Sequence, residues 1–183
     1  ERKYINYLKK KDGIIFKMSN NTVNYIKCIT KNADQTTKIG EMIGNALNPG
    51  VIILLKGEMG TGKTTLTQGI GHALEVQSTV NSPTFIILAK HSKSKIPLYH
   101  ADLFRLTEYE NSIELDLIED SKDGILVIEW PEIAENIFPE EIIEIKLYHS
   151  SNSNERIIEI HDKYQKYSTL LNKIYNKFDK GQE

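Results

Sequence analysis

The sequence predicts a single α/β domain, a mixed β-sheet flanked by helices. Two observations carry this. An unbroken apolar run, Val51-Ile52-Ile53-Leu54-Leu55, enters a glycine loop and then a helical pattern, giving a strand–loop–helix unit. Elsewhere extended runs face each other across short polar turns: FIILAKH and IPLYHADLF about SKSK, then EIIEIKLY and ERIIEIH about SNSN. Hairpins combined with helix–strand units require a mixed sheet, not a purely parallel one.

Taken in order, the chain begins with a lysine-rich stretch. Residues 1–17 are net +4, residues 161–183 net +2, and the body between them net −8. That body offers no electrostatic footprint for nucleic acid. The first stretch lacks the apolar core of a secretory signal and the Arg/Ser content of a transit peptide. It reads as a basic extension over residues 1–30 that includes a candidate first strand at 23–29, with Met18 an alternative start. A domain over 31–161 and an amphipathic C-terminal segment over 162–183 complete the division. The 39% hydrophobic content supplies a core, and apolar runs of about five residues are too short to span a membrane. One cysteine, Cys28, excludes an intramolecular disulfide and fits a reducing compartment. No feature near it marks it as a nucleophile.

A first helix is expected from Asp34, as N-cap, to Leu47, with Ile39, Ile43, Ala46 and Leu47 as its apolar stripe and Asn48-Pro49-Gly50 as its stop. The apolar run of 51–55 then leads into Gly57-Glu58-Met59-Gly60-Thr61-Gly62-Lys63-Thr64, followed by Thr65. This is G-x-x-x-x-G-K-[ST] in its required context, and it makes the domain one of P-loop NTPase type. Glycines at 57, 60 and 62 let loop N–H groups converge on an anion, and the helix that follows adds its positive N-terminal end. Lys63 can reach the outer phosphates and Thr64 can ligate Mg²⁺. Leu66, Ile70, Ala73 and Leu74 form that helix's buried face.

Downstream of the first hairpin, residues 108–118 read as an acidic helix. Ile125–Ile128 read as a second buried strand, with a short helix to Phe138 after it. Tyr164, Tyr167, Leu171, Ile174 and Phe178 form the stripe of a last helix that packs on the body. Two acids end extended apolar segments, Asp102 after Leu98–Ala101 and Glu129 after Ile125–Ile128. A P-loop needs such an acid to hold Mg²⁺ and another group to place the attacking water. Either acid fits either role on position alone. Trp130, the sole tryptophan, follows Glu129 and serves packing or contact with a nucleotide or partner.

The strings GEMGTGKTT, NSPTF, YHADLFRL and IEWPE, in this order over roughly residues 34–160, resemble the TsaE (YjeE) family of P-loop ATPases. The resemblance implies binding and slow hydrolysis of ATP with Mg²⁺. It also implies action with TsaB and TsaD proteins in placing a threonylcarbamoyl group (t6A) on the adenosine beside the anticodon of tRNAs reading ANN codons. The tRNA is then met only through the complex, and the setting is cytoplasmic. It places Gly60–Thr64 on the phosphates, Thr64 and Glu129 on Mg²⁺, and Asp102 on the water or the metal shell. Ser82–Phe85 match a nucleotide-sensing loop, and Thr36 and Arg156 match positions near the adenine.

The rivals are a small P-loop kinase and a nucleotide-dependent binding module. A kinase clamps two phosphorylated ligands with several arginines, and this chain has Arg2, Arg105 and Arg156 alone. If Asp102 faces the cleft, strand alternation sends Arg105 away from it.

Overall fold

The computed structural model describes residues 7–11, 14–19, 22–83, 87–106, 117–134, 138–139, 142–162 and 164–180. Among these, nine strands form one sheet: β1 Tyr7–Lys11, β2 Ile14–Ser19, β3 Thr22–Thr30, β4 Val51–Lys56, β5 Leu88–His91, β6 Leu98–Asp102, β7 Ile125–Glu129, β8 Ile143–His149 and β9 Arg156–His161. Their order across the sheet is β1-β2-β3-β9-β8-β4-β7-β6-β5. Strand β4 runs parallel to β7 and β8, and β6 parallel to β7. The other pairs are antiparallel, so the sheet is mixed, as the hairpins and helix–strand units require. Among the described residues three helices are seen from end to end, α1 Ala33–Gly44, α2 Lys63–Ala73 and α3 Ser168–Lys180, with further helical residues at 117–120 and a 3₁₀ turn at Pro131–Ala134.

The N-terminal stretch, in which no element was expected before residue 23, supplies β1 and β2, which extend the sheet beyond β3. The hairpins at β5–β6 and β8–β9 form where the polar turns predict them. Residues 108–116 of the expected acidic helix, and 135–137 before Phe138, lie outside the described residues, while 117–118 at its end are helical.

Alternation along the strands divides the apolar side chains between two layers. Ile53, Leu55, Val127, Ile145 and Ile158 face α1, α2 and α3, packing with Ile39, Ile43, Leu66, Ile70, Leu171 and Ile174. Ile52, Leu54, Tyr99, Leu126 and Ile128 face the other way, against Leu103, Leu106 and Leu117. The run of 51–55 is therefore buried on both sides, which is why it lacks alternation.

Three sequence expectations shift. The N-cap of α1 is Asn32, not Asp34: Asn32 Oδ1 accepts the Gln35 N–H at 2.9 Å, and Gln35 Oε1 accepts the Lys31 N–H at 2.8 Å. These two bonds fix the helix start two residues earlier. The helix also ends at Gly44, with the Asn45 side chain capping the Glu41 carbonyl, so Ala46 is exposed while Leu47 stays buried beyond the helix. Tyr164 precedes α3 and is 40% exposed, whereas Leu170, unmarked in the stripe, is buried. Among the described residues no helix is long and apolar enough to cross a membrane.

Candidate nucleotide site

The loop after β4 is bent by glycine. Gly57 has φ 142°, and a Cβ there would stand 2.3 Å from the Leu147 carbonyl oxygen. Gly62, at φ 99°, is the N-cap of α2 and brings no capping side chain to the helix start. The helix end is thereby left to a ligand, and an anion is the species its field favours. Thr61 is buried and donates to the Glu58 carbonyl at 2.8 Å, tightening the loop on itself.

Lys63 is buried at the loop's centre. Its Nζ donates to the carbonyls of Gly57 at 2.7 Å and Glu58 at 3.0 Å, and lies 4.1 Å from the centroid of the Trp130 ring. Burial pushes its pKa below the usual lysine value, and the carboxylates of Glu129, Asp102 and Glu132 oppose that shift. Trp130 takes φ 58°, an uncommon conformation for its type, and packs on Phe104 at 4.8 Å. Its contact with Lys63 answers in part what the lone tryptophan does.

Thr64 is the second residue of α2, just behind Lys63. Its hydroxyl donates to Glu129 Oε1 at 3.1 Å, so the two residues proposed for Mg²⁺ from motif and resemblance meet in space. Glu129 closes β7, directly beside β4, and is 3% exposed. His100 Nε2 reaches the same Oε1 at 2.9 Å. Asp102 is the register partner of Glu129 on the neighbouring strand. Its carboxylate is engaged differently: Ser82 Oγ donates to Oδ2 at 2.6 Å and the Phe104 N–H to Oδ1 at 3.0 Å. Asp102 thus ties the chain before Pro83 to the end of β6. Thr84 and Phe85 of the expected sensing loop lie outside the described residues.

Two cavities meet at Gly60, Gly62 and Thr65. One, of about 400 Å³, holds Lys63, Thr64, Asp102, Glu129 and Trp130 together with Met59, Ser82, Phe104 and Arg105. The other, of about 290 Å³, is lined by Lys31, Asn32, Ala33, Thr36, Ser153, Asn154 and Arg156. Thr36 is buried, its hydroxyl 2.8 Å from that of Thr30, and it lines the second cavity. Arg156 donates through Nε to the Gly60 carbonyl at 3.3 Å and through Nη1 to those of Ser153 and Glu155. Met59, 71% exposed at the loop tip, offers its carbonyl to His149 Nε2 at 3.1 Å. The β8–β9 hairpin therefore grips the loop tip from one side.

Arg105 corrects the alternation argument, since it lines the first cavity instead of facing away from it. Strand β6 ends at Asp102 and the chain turns through Phe104–Arg105, so the two-residue period stops before it applies to Arg105. Sequence reasoning also passed over His100, although it stands two residues before Asp102 and so shares its face of β6. His149 left no signal in the sequence, because its role depends on where the hairpin lands.

The residues fit a Mg²⁺–nucleoside triphosphate. Mg²⁺ is bound through one or two protein oxygens and the substrate's phosphates, and Thr64 Oγ1 and Glu129 Oε1 are such a pair beside the glycine loop. The two cavities give a nucleotide laid across the loop a place for each end.

A family model described as "Threonylcarbamoyl adenosine biosynthesis protein TsaE" matches residues 30–158. The chain is 38% identical over 110 residues to the tRNA threonylcarbamoyladenosine biosynthesis protein TsaE of Nostoc sp., spanning 58% of this chain and 68% of that one. It is 30% identical to the protein of the same name from Bacillus subtilis, spanning 72% and 83%. With that of Treponema pallidum it shares 31%, spanning 72% and 98%. The crystal structure of Bacillus subtilis YdiB superposes with a TM-score of 0.68 at 25% identity, covering 83% of this chain and 95% of that one.

Proposed function

The chain belongs to the TsaE family, and on that premise we propose that it is a Mg²⁺-dependent ATPase that works with TsaB and TsaD partners in forming t6A on tRNA. The observation that carries the reading is the meeting of the Thr64 hydroxyl and the Glu129 carboxylate at 3.1 Å beside the P-loop. The two residues lie 65 positions apart in sequence, and each is of the type that ligates Mg²⁺.

In this reading the loop N–H groups and the α2 N-terminus hold the phosphates. Lys63 exchanges its two carbonyl partners for phosphate oxygens and so brings its charge to the transferring group. Mg²⁺, when bound, neutralises charge developing between the outer phosphates. Thr64 and Glu129 would hold it. Asp102, fixed by Ser82 and the Phe104 N–H, accepts a hydrogen bond from the attacking water and orients it. The second cavity receives the base and sugar, with Thr36 and Arg156 on its walls.

The test is multiple-turnover t6A formation on an ANN-reading tRNA with TsaB, TsaD and a threonylcarbamoyl-adenylate donor. Adding the wild-type chain with ATP and Mg²⁺ is expected to sustain turnover, and Glu129→Gln to fail to. Turnover that proceeds equally with the variant, or without ATP, would contradict the proposal.

A further inference from the structure

His100 is 0% exposed on β6, one strand in from the edge of the sheet, and its one hydrogen bond given by the structure is from Nε2 to Glu129 Oε1 at 2.9 Å. Register places it opposite Val127 on β7, diagonal to Glu129 and two residues before Asp102. A carboxylate only accepts, so the imidazole must present an N–H at Nε2. Its Nδ1 is buried and unpaired among the described residues. The adjacent strand repeats the pattern. His91 Nδ1 pairs with Ser78 Oγ at 2.6 Å, and His91 Nε2 is likewise buried and unpaired among the described residues. His91 stands opposite Leu98, which makes it a diagonal neighbour of His100. Burial first, and then His100, hold His91 below the usual histidine pKa.

We propose that His100 is a positioning residue that acts through Glu129, its Nε2–H holding the carboxylate against the Thr64 hydroxyl so that both oxygens stand ready for one Mg²⁺ ion. The inference rests on the Mg²⁺–nucleotide reading of this site. Glu129 Oε1 receives two hydrogen bonds, one from each side, and a carboxylate so held cannot swing away from the loop. The metal then meets a preset oxygen pair instead of ordering a free side chain. His100 itself touches neither metal nor nucleotide in this account.

Two variants of similar size separate this role from packing. Glutamine at 100 can place an amide N–H near the former Nε2, whereas asparagine reaches only the Nδ1 position. The measurement is ADP binding by calorimetry on the full chain, with and without MgCl₂, alongside thermal melting. Wild type is expected to bind ADP more tightly with Mg²⁺. His100→Asn should lose most of that gain, with the Mg²⁺ requirement rising roughly tenfold. His100→Gln should keep the gain to within about threefold, and both variants should bind ADP alike without Mg²⁺. Equal Mg²⁺ requirements for the two variants, whether both normal or both impaired, would overturn the positioning role. A wild-type protein whose ADP binding is indifferent to Mg²⁺ would instead refute the underlying reading of the site.

Discussion

Lys63 shows how one side chain can serve two states. Buried among the P-loop carbonyls and the Trp130 ring, it satisfies its N–H groups within the loop, and those same donors are what a phosphate would take over. Lys63→Ala should therefore weaken ATP binding by roughly ten- to a hundredfold, the worth of a charge-assisted contact, measured by calorimetric titration. Affinity unchanged in that variant would remove the P-loop from the mechanism. Glu129 and Asp102 looked interchangeable as strand-end acids, and only their partners tell them apart. Glu129 shares its oxygen with Thr64, while Asp102 is occupied by Ser82 and the Phe104 N–H. Glu129→Gln is expected to blunt the Mg²⁺ dependence of hydrolysis. Asp102→Asn should slow hydrolysis while leaving that dependence largely intact, and the reverse pattern in a Mg²⁺ titration would exchange the two roles. Cys28 belongs to this scale as well. It is fully buried between sheet and helices, and burial pushes its thiol pKa up to about 12. The thiolate needed for alkylation is scarce below that pH, so iodoacetamide at pH 8 should label the unfolded chain and spare the native one.

Helix α2 can place its N-terminus at the P-loop because α1 packs against it without side chains in between. A Cβ on Gly69 would stand 2.1 Å from the Thr37 carbonyl oxygen, and one on Gly40 would stand 2.2 Å from that of Leu66. Gly69→Ala must push the two helices apart, so it should cost on the order of 1–3 kcal/mol in urea unfolding and also weaken nucleotide binding. A variant as stable as wild type would show that the helices are less tightly seated than described. These glycines were not legible in the sequence: a glycine inside a helix reads as a weak point until its neighbour is known. The P-loop element was legible, because its strand, loop and helix are contiguous and each carries its own signal. The start of α1 was readable too, in Asn32 and Gln35 three residues apart, but Asp34 is an equally good cap by type. Helix α3 gives the converse lesson. Its stripe predicted packing on the body, and Leu171 and Ile174 do enter the main core. Ile174→Ala should cost about 2–5 kcal/mol, read from denaturant midpoints, which would mark this segment as part of the fold and not an appendage.

For the whole molecule, the site lies where β4, β6 and β7 end beside the P-loop, and the β8–β9 hairpin closes one flank through His149 and Arg156. Assembling it brings together residues from positions 31 to 156. The sequence named most of them by type but could not show that Arg105 lines the cavity, since a turn after β6 decides that. Arg105 is exposed at the edge of the cavity, where a partner docked over the opening would meet it. An arginine that reaches the phosphates is worth on the order of a thousandfold or more in phosphoryl transfer. The body of the chain, residues 18–160, is net −8, which disfavours tRNA alone as that partner. The most direct test of the account is steady-state ATP hydrolysis with Mg²⁺ by the chain alone, with tRNA alone, and with TsaB–TsaD in the presence and absence of tRNA. Slow hydrolysis alone, little change with tRNA, and a marked rise with the protein partners are expected. Full activity in isolation that the partners leave unchanged would contradict the account.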